Sequence, residues 1–480
     1  MGTIRSTLAL PVPTHMRRSM KQILLVLLFT ASLVLPRPAA ALTPEVSGKI
    51  DTIVREVLAA TGGPSASIAV VQDGRIAYLQ AYGDARLEPR RPARPGMRYA
   101  IGSVSKQFTA AAILILAEQG KLSLDDPVSR FIPDLTRADD IKIRQLLSHT
   151  SGYQDYWPQD YVPPFMLKPI SADQLLDRWA RKPLDFEPGT DWQYSNTGYV
   201  AAGLIVERAS GEPLFGFLTR HIFTPLGMTS PVNQDEGPLT EPDAKGYTRH
   251  GLGPLRVARK EGSGWLFGAG GLAMTAEDLA KWDISLIDQT LLKPASYHEM
   301  ESALILKNGT ASTYGLGLAV TRTASSRSVA HGGEVSGFTA QNTIYPDDRV
   351  AVVVLANQDA GEATGDIARK VAPLLFPKEE VSKEEEQVGR IFAGLQRGKI
   401  DRALFSENGN FYFSETALKD LAKGLKPLGK PKSLHQTNRN ERGGMTFRLF
   451  EVKFRNKTLH ISQRTLPDGK IEQFQVIAAE

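Results

Sequence analysis

Apolar and polar positions follow two rhythms along this chain, and each rhythm marks out elements. From Ser65 to Val71 and from Arg75 to Tyr82, β-favouring runs flank Asp73-Gly74, the kind of pair that a tight hairpin turn prefers. Val350 to Leu355 is an unbroken run of aliphatic residues after the turn-like Pro346-Asp347-Asp348, and Val335 to Tyr345 reads as a further strand. Phe108 to Ala117 is apolar almost throughout and is followed by Gly120, which predicts a helix buried on all sides and closed by a left-handed residue. Ser171 with Gln174, and Thr275 with Asp278, open two more helices through side-chain caps. Glu187-Pro188-Gly189 and Thr224-Pro225-Leu226-Gly227 punctuate the helical middle as turns. Strands at both ends of one region with helices between predict an α+β domain whose sheet is closed by its own two termini.

The rhythm changes at Pro377 to Gln387, where seven acidic and basic residues crowd together as a solvated linker or helix start. Beyond it, Val388 to Leu404 has a helical pattern. Met445 to Phe454, Thr458 to Leu466 and Lys470 to Ile477 alternate as strands, with Pro467-Asp468-Gly469 turning between the last two. The expected division is a large domain over 42–377, a charged linker over 378–387 and a small α+β domain over 388–480, consistent with a length of 480 residues.

Charge changes the picture at one place only. The formal net charge is +5, but residues 1–41 hold five basic residues and no acid, and the remainder balances at 52 of each sign. Nothing in that balance calls for nucleic acid or an anionic membrane surface as partner. The same segment has the layout of an export signal: basic Arg17 to Lys21, apolar Ile23 to Leu35, then Ala39-Ala40-Ala41. The apolar run is short for a membrane span, so a cleaved signal is expected, giving a periplasmic or secreted protein with no stable membrane insertion; an uncleaved anchor is the alternative. Arg17-Arg18 leaves a twin-arginine route open, and Met16 or Met20 could be the start. The chain has no cysteine, which excludes disulfides, thiolate metal sites and a cysteine nucleophile.

Three short motifs carry chemistry. Ser103 and Lys106 form a Ser-x-x-Lys at the mouth of the apolar helix, one turn apart, so that an amine can reach a hydroxyl that is a poor nucleophile without a neighbour to ease proton removal. Alone the pair reads equally as a helix cap and a solvated charge. Tyr194-Ser195-Asn196 lies within FEPGTDWQYSNTGY, and His331-Gly332-Gly333 precedes a strand; each alone reads as core or turn. No His-Glu-x-x-His or comparable spacing suggests a metal, and no glycine-rich loop suggests a nucleotide, so no cofactor is expected. His149 is expected to hold a loop by hydrogen bonding, and Tyr153, Trp157 and Trp265 read equally as pocket walls or as core.

Taken in order, YAIGSVSKQFTA, LLSHTSGY, FEPGTDWQYSNTGYVAAGLIVE, IFTPLGM, GAGGLAMTAEDLAKW, YGLGLAV and HGGEVSGF make residues 46 to about 375 resemble the serine β-lactamase-related family. That family includes class C β-lactamases, D-alanyl-D-alanine carboxypeptidases, D-aminopeptidases and esterases. The resemblance implies a β-lactamase/transpeptidase-like fold of two lobes, an antiparallel sheet flanked by helices and a helical lobe, with the site between them. It implies Ser103 as nucleophile, Lys106 as its proton partner, Tyr194 as general base and leaving-group acid, and Asn196 as an amide that orients substrate. His331 would take the place of the third motif's cation, with Gly333 beside it, and the backbone N–H groups of Ser103 and Glu334 would form the oxyanion hole. A nearby Lys106 is expected to favour the phenolate of Tyr194.

Class C β-lactamases have lysine-threonine-glycine where this chain has His331-Gly332-Gly333, which weakens recognition of a substrate carboxylate and disfavours β-lactamase action. The expected function is an exported serine hydrolase that forms an acyl-serine on a small ester, a D-amino-acid derivative or a peptide. A low-turnover penicillin-binding or sensor protein, or a true β-lactamase, is the alternative. The tail faintly resembles nuclear-transport-factor-like accessory domains and is expected to bind an unidentified partner or act as a lid.

Overall fold

The two runs picked out as strands at opposite ends of the large region lie side by side. In the computed structural model, which describes residues 41–159, 161–322, 326–376 and 382–478, β1 (Ser65–Gln72) pairs antiparallel with a strand at Val350–Ala356, from Ala66 opposite Ala356 to Gln72 opposite Val350. The expected export signal lies outside the described residues, save Ala41. Five further strands complete the sheet: β2 (Arg75–Leu87), β3 (Arg90–Pro92), β4 (Ala319–Arg322), β5 (Arg327–Val335) and β6 (Phe338–Tyr345), which makes the strand at Val350–Ala356 β7. Their order is β3-β2-β1-β7-β6-β5-β4, so the first and last strands of this sheet in chain order meet in its middle.

Both central strands are buried on both faces, which is why they read as continuous apolar runs. Ile68, Val70, Val352 and Val354 face one core, shared with helix α1 (Pro44–Thr61). Ala69, Val71, Val353 and Leu355 face the larger core that holds the apolar helix α2 (Lys106–Glu118). The helical lobe adds α3 (Asn196–Ser210) and α4 (Ala276–Asp288), the latter capped by Thr275, whose hydroxyl accepts from the Asp278 N–H. Helix α5 (Ala363–Val371) returns to cover the first core.

Two local expectations change. Val335 to Tyr345 is not one strand: Ser336-Gly337 turns the chain, with Gly337 at φ 83°, and β5 and β6 form a hairpin. Helix α2 starts at Lys106, and Ser103 sits before it in a 3-10 turn over Gly102–Ser105.

The C-terminal part has its own core and a separate four-stranded antiparallel sheet, β8 (Ser433–Arg442), β9 (Met445–Lys453), β10 (Thr458–Thr465) and β11 (Ile471–Ala478), in chain order. Residues 377–381 of the charged run lie outside the described residues. Its remainder opens helix α6 (Lys383–Leu395) through a Ser382–Glu385 capping box, so this half of the expected linker is a helix start.

Candidate active site

Ser103 is placed by a close approach of two backbones. β4 pairs with β5 only as far as Ala330, which leaves the edge of β5 from His331 onward to face the turn that carries Ser103. Two glycines permit the contact. A Cβ on Gly333 would fall 1.9 Å from the Ile101 carbonyl oxygen and 3.2 Å from the Ser103 nitrogen, and one on Gly102, at φ 49°, would fall 2.7 Å from the Glu334 nitrogen. The N–H groups of Ser103 and Glu334 thus flank one seam beside the Ser103 hydroxyl, where two fixed donors would meet a developing oxyanion.

Lys106 lies wholly inside the protein at 0% exposure. Its ammonium donates to three acceptors: Ser103 Oγ at 3.0 Å, Asn196 Oδ1 at 2.7 Å and the Ala269 carbonyl at 2.8 Å. Burial disfavours the charge and pulls the amine down to about 7, while the Asp155 carboxylate acts in the opposite direction. An amine poised there can hold a proton or release it in neutral solution.

Tyr194 stands on the other side of the nucleophile. Its phenol is hydrogen-bonded to Ser103, and its ring centroid is 4.8 Å from the Lys106 ammonium. Here the structure corrects an expectation. Enclosure of the phenol raises its pKa, and Asp155 raises it further, so Tyr194 stays protonated rather than becoming a phenolate. The Lys106 amine, when neutral, can accept a proton here, and the Tyr194 hydroxyl can pass one on.

His149 and Asp155 hold the Tyr194-Ser195-Asn196 segment. The Ser195 N–H donates to His149 Nδ1 at 3.1 Å, and the two rings of His149 and Tyr194 pack with centroids 4.3 Å apart. Asp155 accepts from the Asn196 N–H at 3.0 Å and the Trp157 N–H at 3.2 Å, and from the Asn196 side-chain amide at 3.3 Å. Because the amide nitrogen is committed to Asp155, the Asn196 oxygen faces Lys106. Burial raises the Asp155 carboxyl, with its backbone partners and Lys106 opposing that shift. Sequence reasoning missed Asp155; its only signal is its place two residues after Tyr153 in the SGYQDYW stretch.

The third motif does not supply a cation. His331 Nε2 is 2.7 Å from the Tyr314 hydroxyl, and its Nδ1 is bonded to the Gly332 carbonyl. The carbonyl can only accept, so Nδ1 carries the proton and Nε2 accepts from Tyr314. Burial, with the nearby charge of Lys106, pulls His331 down to about 3, so it is a neutral imidazole at ordinary pH.

Ser103 opens onto two adjoining cavities. One, of about 600 Å³, is walled by Tyr156, Trp157, Val162, Leu266 and a hairpin of Tyr247–Thr248 with Arg256–Val257. The other, of about 700 Å³, contains Asp155, Tyr194, His331, Gly333 and Glu362 and, among the described residues, no lysine or arginine. Of the three aromatic residues that read as pocket wall or core, Trp157 lines both cavities. Tyr153 and Trp265 are core residues, their polar atoms donating to the carbonyls of Thr136 and Lys168. Among the described residues no group of three or more His, Asp or Glu is arranged to hold a metal.

Comparison with known proteins agrees with this geometry. PbpX, a penicillin-binding protein of Bacillus subtilis, is 28% identical over 333 residues, covering 69% of this chain and 79% of that protein. A D-aminopeptidase of Brucella anthropi is 30% identical over 329 residues, covering 67% of this chain and 61% of its own length. An octameric penicillin-binding protein homologue from Pyrococcus abyssi superposes with a TM-score of 0.61 at 24% identity over 90% of this chain and 93% of that one, a likeness of fold. Residues 50–374 match the Beta-lactamase family, and the chain belongs to that family of serine hydrolases.

Proposed function

We propose that this protein hydrolyses esters or amides through an acyl-Ser103 intermediate, on substrates whose leaving group carries no carboxylate. The observation that carries the reading is Lys106: buried, 3.0 Å from Ser103 Oγ and pulled down to about 7. In its neutral form it takes the Ser103 proton as Oγ attacks the carbonyl, and the oxyanion forms against the N–H groups of Ser103 and Glu334. Tyr194, bonded to Ser103, hands its proton to the departing nitrogen or oxygen and is reprotonated by the Lys106 ammonium, which returns the amine to its neutral form; in the second half-reaction that amine takes a proton from water as it attacks the acyl carbonyl, and the proton passes back to Ser103 Oγ as the acyl group leaves.

The leaving group departs next to its proton donor, in the cavity of Tyr194 and His331. With His331 neutral and no lysine or arginine lining that cavity, a carboxylate there meets Asp155 and Glu362 and no counter-charge. This disfavours β-lactams and peptide C-termini, and favours simple esters and the D-amino-acid derivatives suggested by the D-aminopeptidase relative. Replacing Ser103→Ala should abolish both hydrolysis across an ester and D-amino-acid amide panel and labelling by a fluorophosphonate probe; undiminished labelling refutes the assignment.

The likeness to PbpX favours a second reading, a penicillin-binding protein with poor turnover. A stable penicilloyl adduct on Ser103, with no steady hydrolysis of any ester or amide, would select it. Residues 1–41 are read as an export signal, tested by N-terminal sequencing of the mature protein. The C-terminal domain is read as an accessory domain that binds a partner or covers the cleft, tested by its deletion.

A further inference from the structure

The two cavities share only Ser103, Trp157, Asn196 and Glu334, so the nucleophile sits where they join. Given the reading above, the leaving group belongs with Tyr194, and the acyl group must occupy the other cavity. Its volume of about 600 Å³ is that of a site for a ligand well beyond an acetyl group.

That cavity has an apolar stretch and a cationic wall. Tyr156, Trp157, Val162 and Leu266 supply the apolar surface; Arg249 and Arg259, from the hairpin that follows Tyr247 and the residues just after it, supply the cations, with the His250 ring beside them. Arg259 is exposed and makes no hydrogen bond or ion pair among the described residues. Arg249 donates through its terminal nitrogens to the carbonyls of Thr61 and Gly62, and its Nε is buried with no acceptor. Among the described residues two carboxylates line the same cavity, and each accepts from a backbone N–H. Asp359 accepts from the Gly337 N–H at 2.9 Å and Glu334 from the Ala360 N–H at 2.8 Å.

The hairpin is a fixed part of the fold. The Tyr247 N–H donates to the carbonyls of Gly337 at 3.3 Å and Asn357 at 3.1 Å, and a Cβ on Gly337 would fall 2.5 Å from Gly246 Cα. In the leaving-group cavity the charged side chains are Asp155, Glu334 and Glu362, all acidic. Among the described lining residues, arginines are thus found on the acyl side and not on the leaving-group side.

We propose that the acyl pocket selects acyl groups ending in an anion, a carboxylate separated from the scissile carbonyl by an apolar segment, with Arg259 as the main partner and Arg249 and His250 beside it. Substrates of this class are monoesters and monoamides of dicarboxylic acids, including peptides linked through a side-chain carboxyl. The inference rests on the proposed function, and the test separates the two.

Three p-nitrophenyl esters with six-carbon acyl chains are compared: the neutral hexanoate, the adipate monoester and the 6-aminohexanoate. The expected order of kcat/KM is adipate monoester above hexanoate by about tenfold at low ionic strength, with the aminohexanoate lowest and the spread narrowing as salt is added. In Arg259→Glu the order of the two charged esters should invert; because the readout is a ratio, partial loss of folded protein does not affect it. Ser103-dependent hydrolysis with the adipate monoester no better than the hexanoate, or a preference that Arg259→Glu leaves in place, overturns the acid-selective pocket alone. Absence of Ser103-dependent hydrolysis and labelling with all three overturns the proposed function and this inference with it.

Discussion

Asp155→Asn is the substitution that separates charge from shape at this site. The side chain keeps its size and one accepting oxygen, but the buried Lys106 loses a carboxylate that favours its protonated form. The two groups are bridged through a single amide, Lys106 to Asn196 Oδ1 at 2.7 Å and Asn196 Nδ2 to Asp155 at 3.3 Å. A separation of about 7 Å at an effective dielectric constant of about 20 gives about 2 kcal/mol, or about 1.5 pH units. The acid limb of kcat/KM should therefore move down by about that much, because the amine of Lys106 then sheds its proton at lower pH. The plateau rate should fall as well, by about tenfold, since an amide at position 155 competes for the orientation of Asn196. The assay is a pH profile of ester hydrolysis for both proteins between pH 4.5 and 9. A lower plateau with an unmoved acid limb would show that Asp155 acts only through packing and would refute the electrostatic part of the reasoning.

Three further outcomes are expected. In the native protein, kcat/KM should rise with pH through about 7 and level off above it, because Lys106 accepts a proton only when neutral; His331, pulled down to about 3, should add no limb near 6, and a histidine limb would count against the neutral imidazole. Gly333→Ala places a methyl 1.9 Å from the Ile101 carbonyl and must push β5 off the Ser103 turn, so acylation measured by stopped flow should slow by about 100-fold or more. Ile113→Ala, at 0% exposure in the core around α2, should cost about 2–5 kcal/mol in urea unfolding, and a loss below 1 kcal/mol would contradict the packing described.

Much of the fold was legible where one physical demand dominates. The hairpin at Asp73-Gly74 and the doubly buried run at Val350 follow from turn geometry and burial, and both lie in the central sheet. The hairpin at Ser336-Gly337 was hidden because the β pattern continues on both sides of its turn. Strand β8 escaped notice because SLHQTNRNER is almost wholly polar, and its pairing with β9 supplies what its composition does not.

At the site, Ser103, Lys106, Tyr194, Asn196, His331 and Gly333 all line or adjoin one cleft. Their protonation was not readable from the motifs, because it depends on enclosure. An amine beside a phenol suggests a phenolate, yet desolvation outweighs that attraction for Tyr194, and the same enclosure holds His331, a weak base to begin with, in its neutral form. Asp155 was invisible for a related reason: its role arises from the bonds it makes with Asn196, 41 positions away along the chain.

The surroundings of the Lys106 nitrogen also set a direction. Once it has lost a proton it keeps two N–H bonds and gains a lone pair, and two of its three neighbours, the Asn196 amide oxygen and the Ala269 carbonyl, have no hydrogen to give. The lone pair is left with a single productive heading, toward the serine hydroxyl. The fold thus aims the base by exclusion: every alternative neighbour is an atom that can only be donated to.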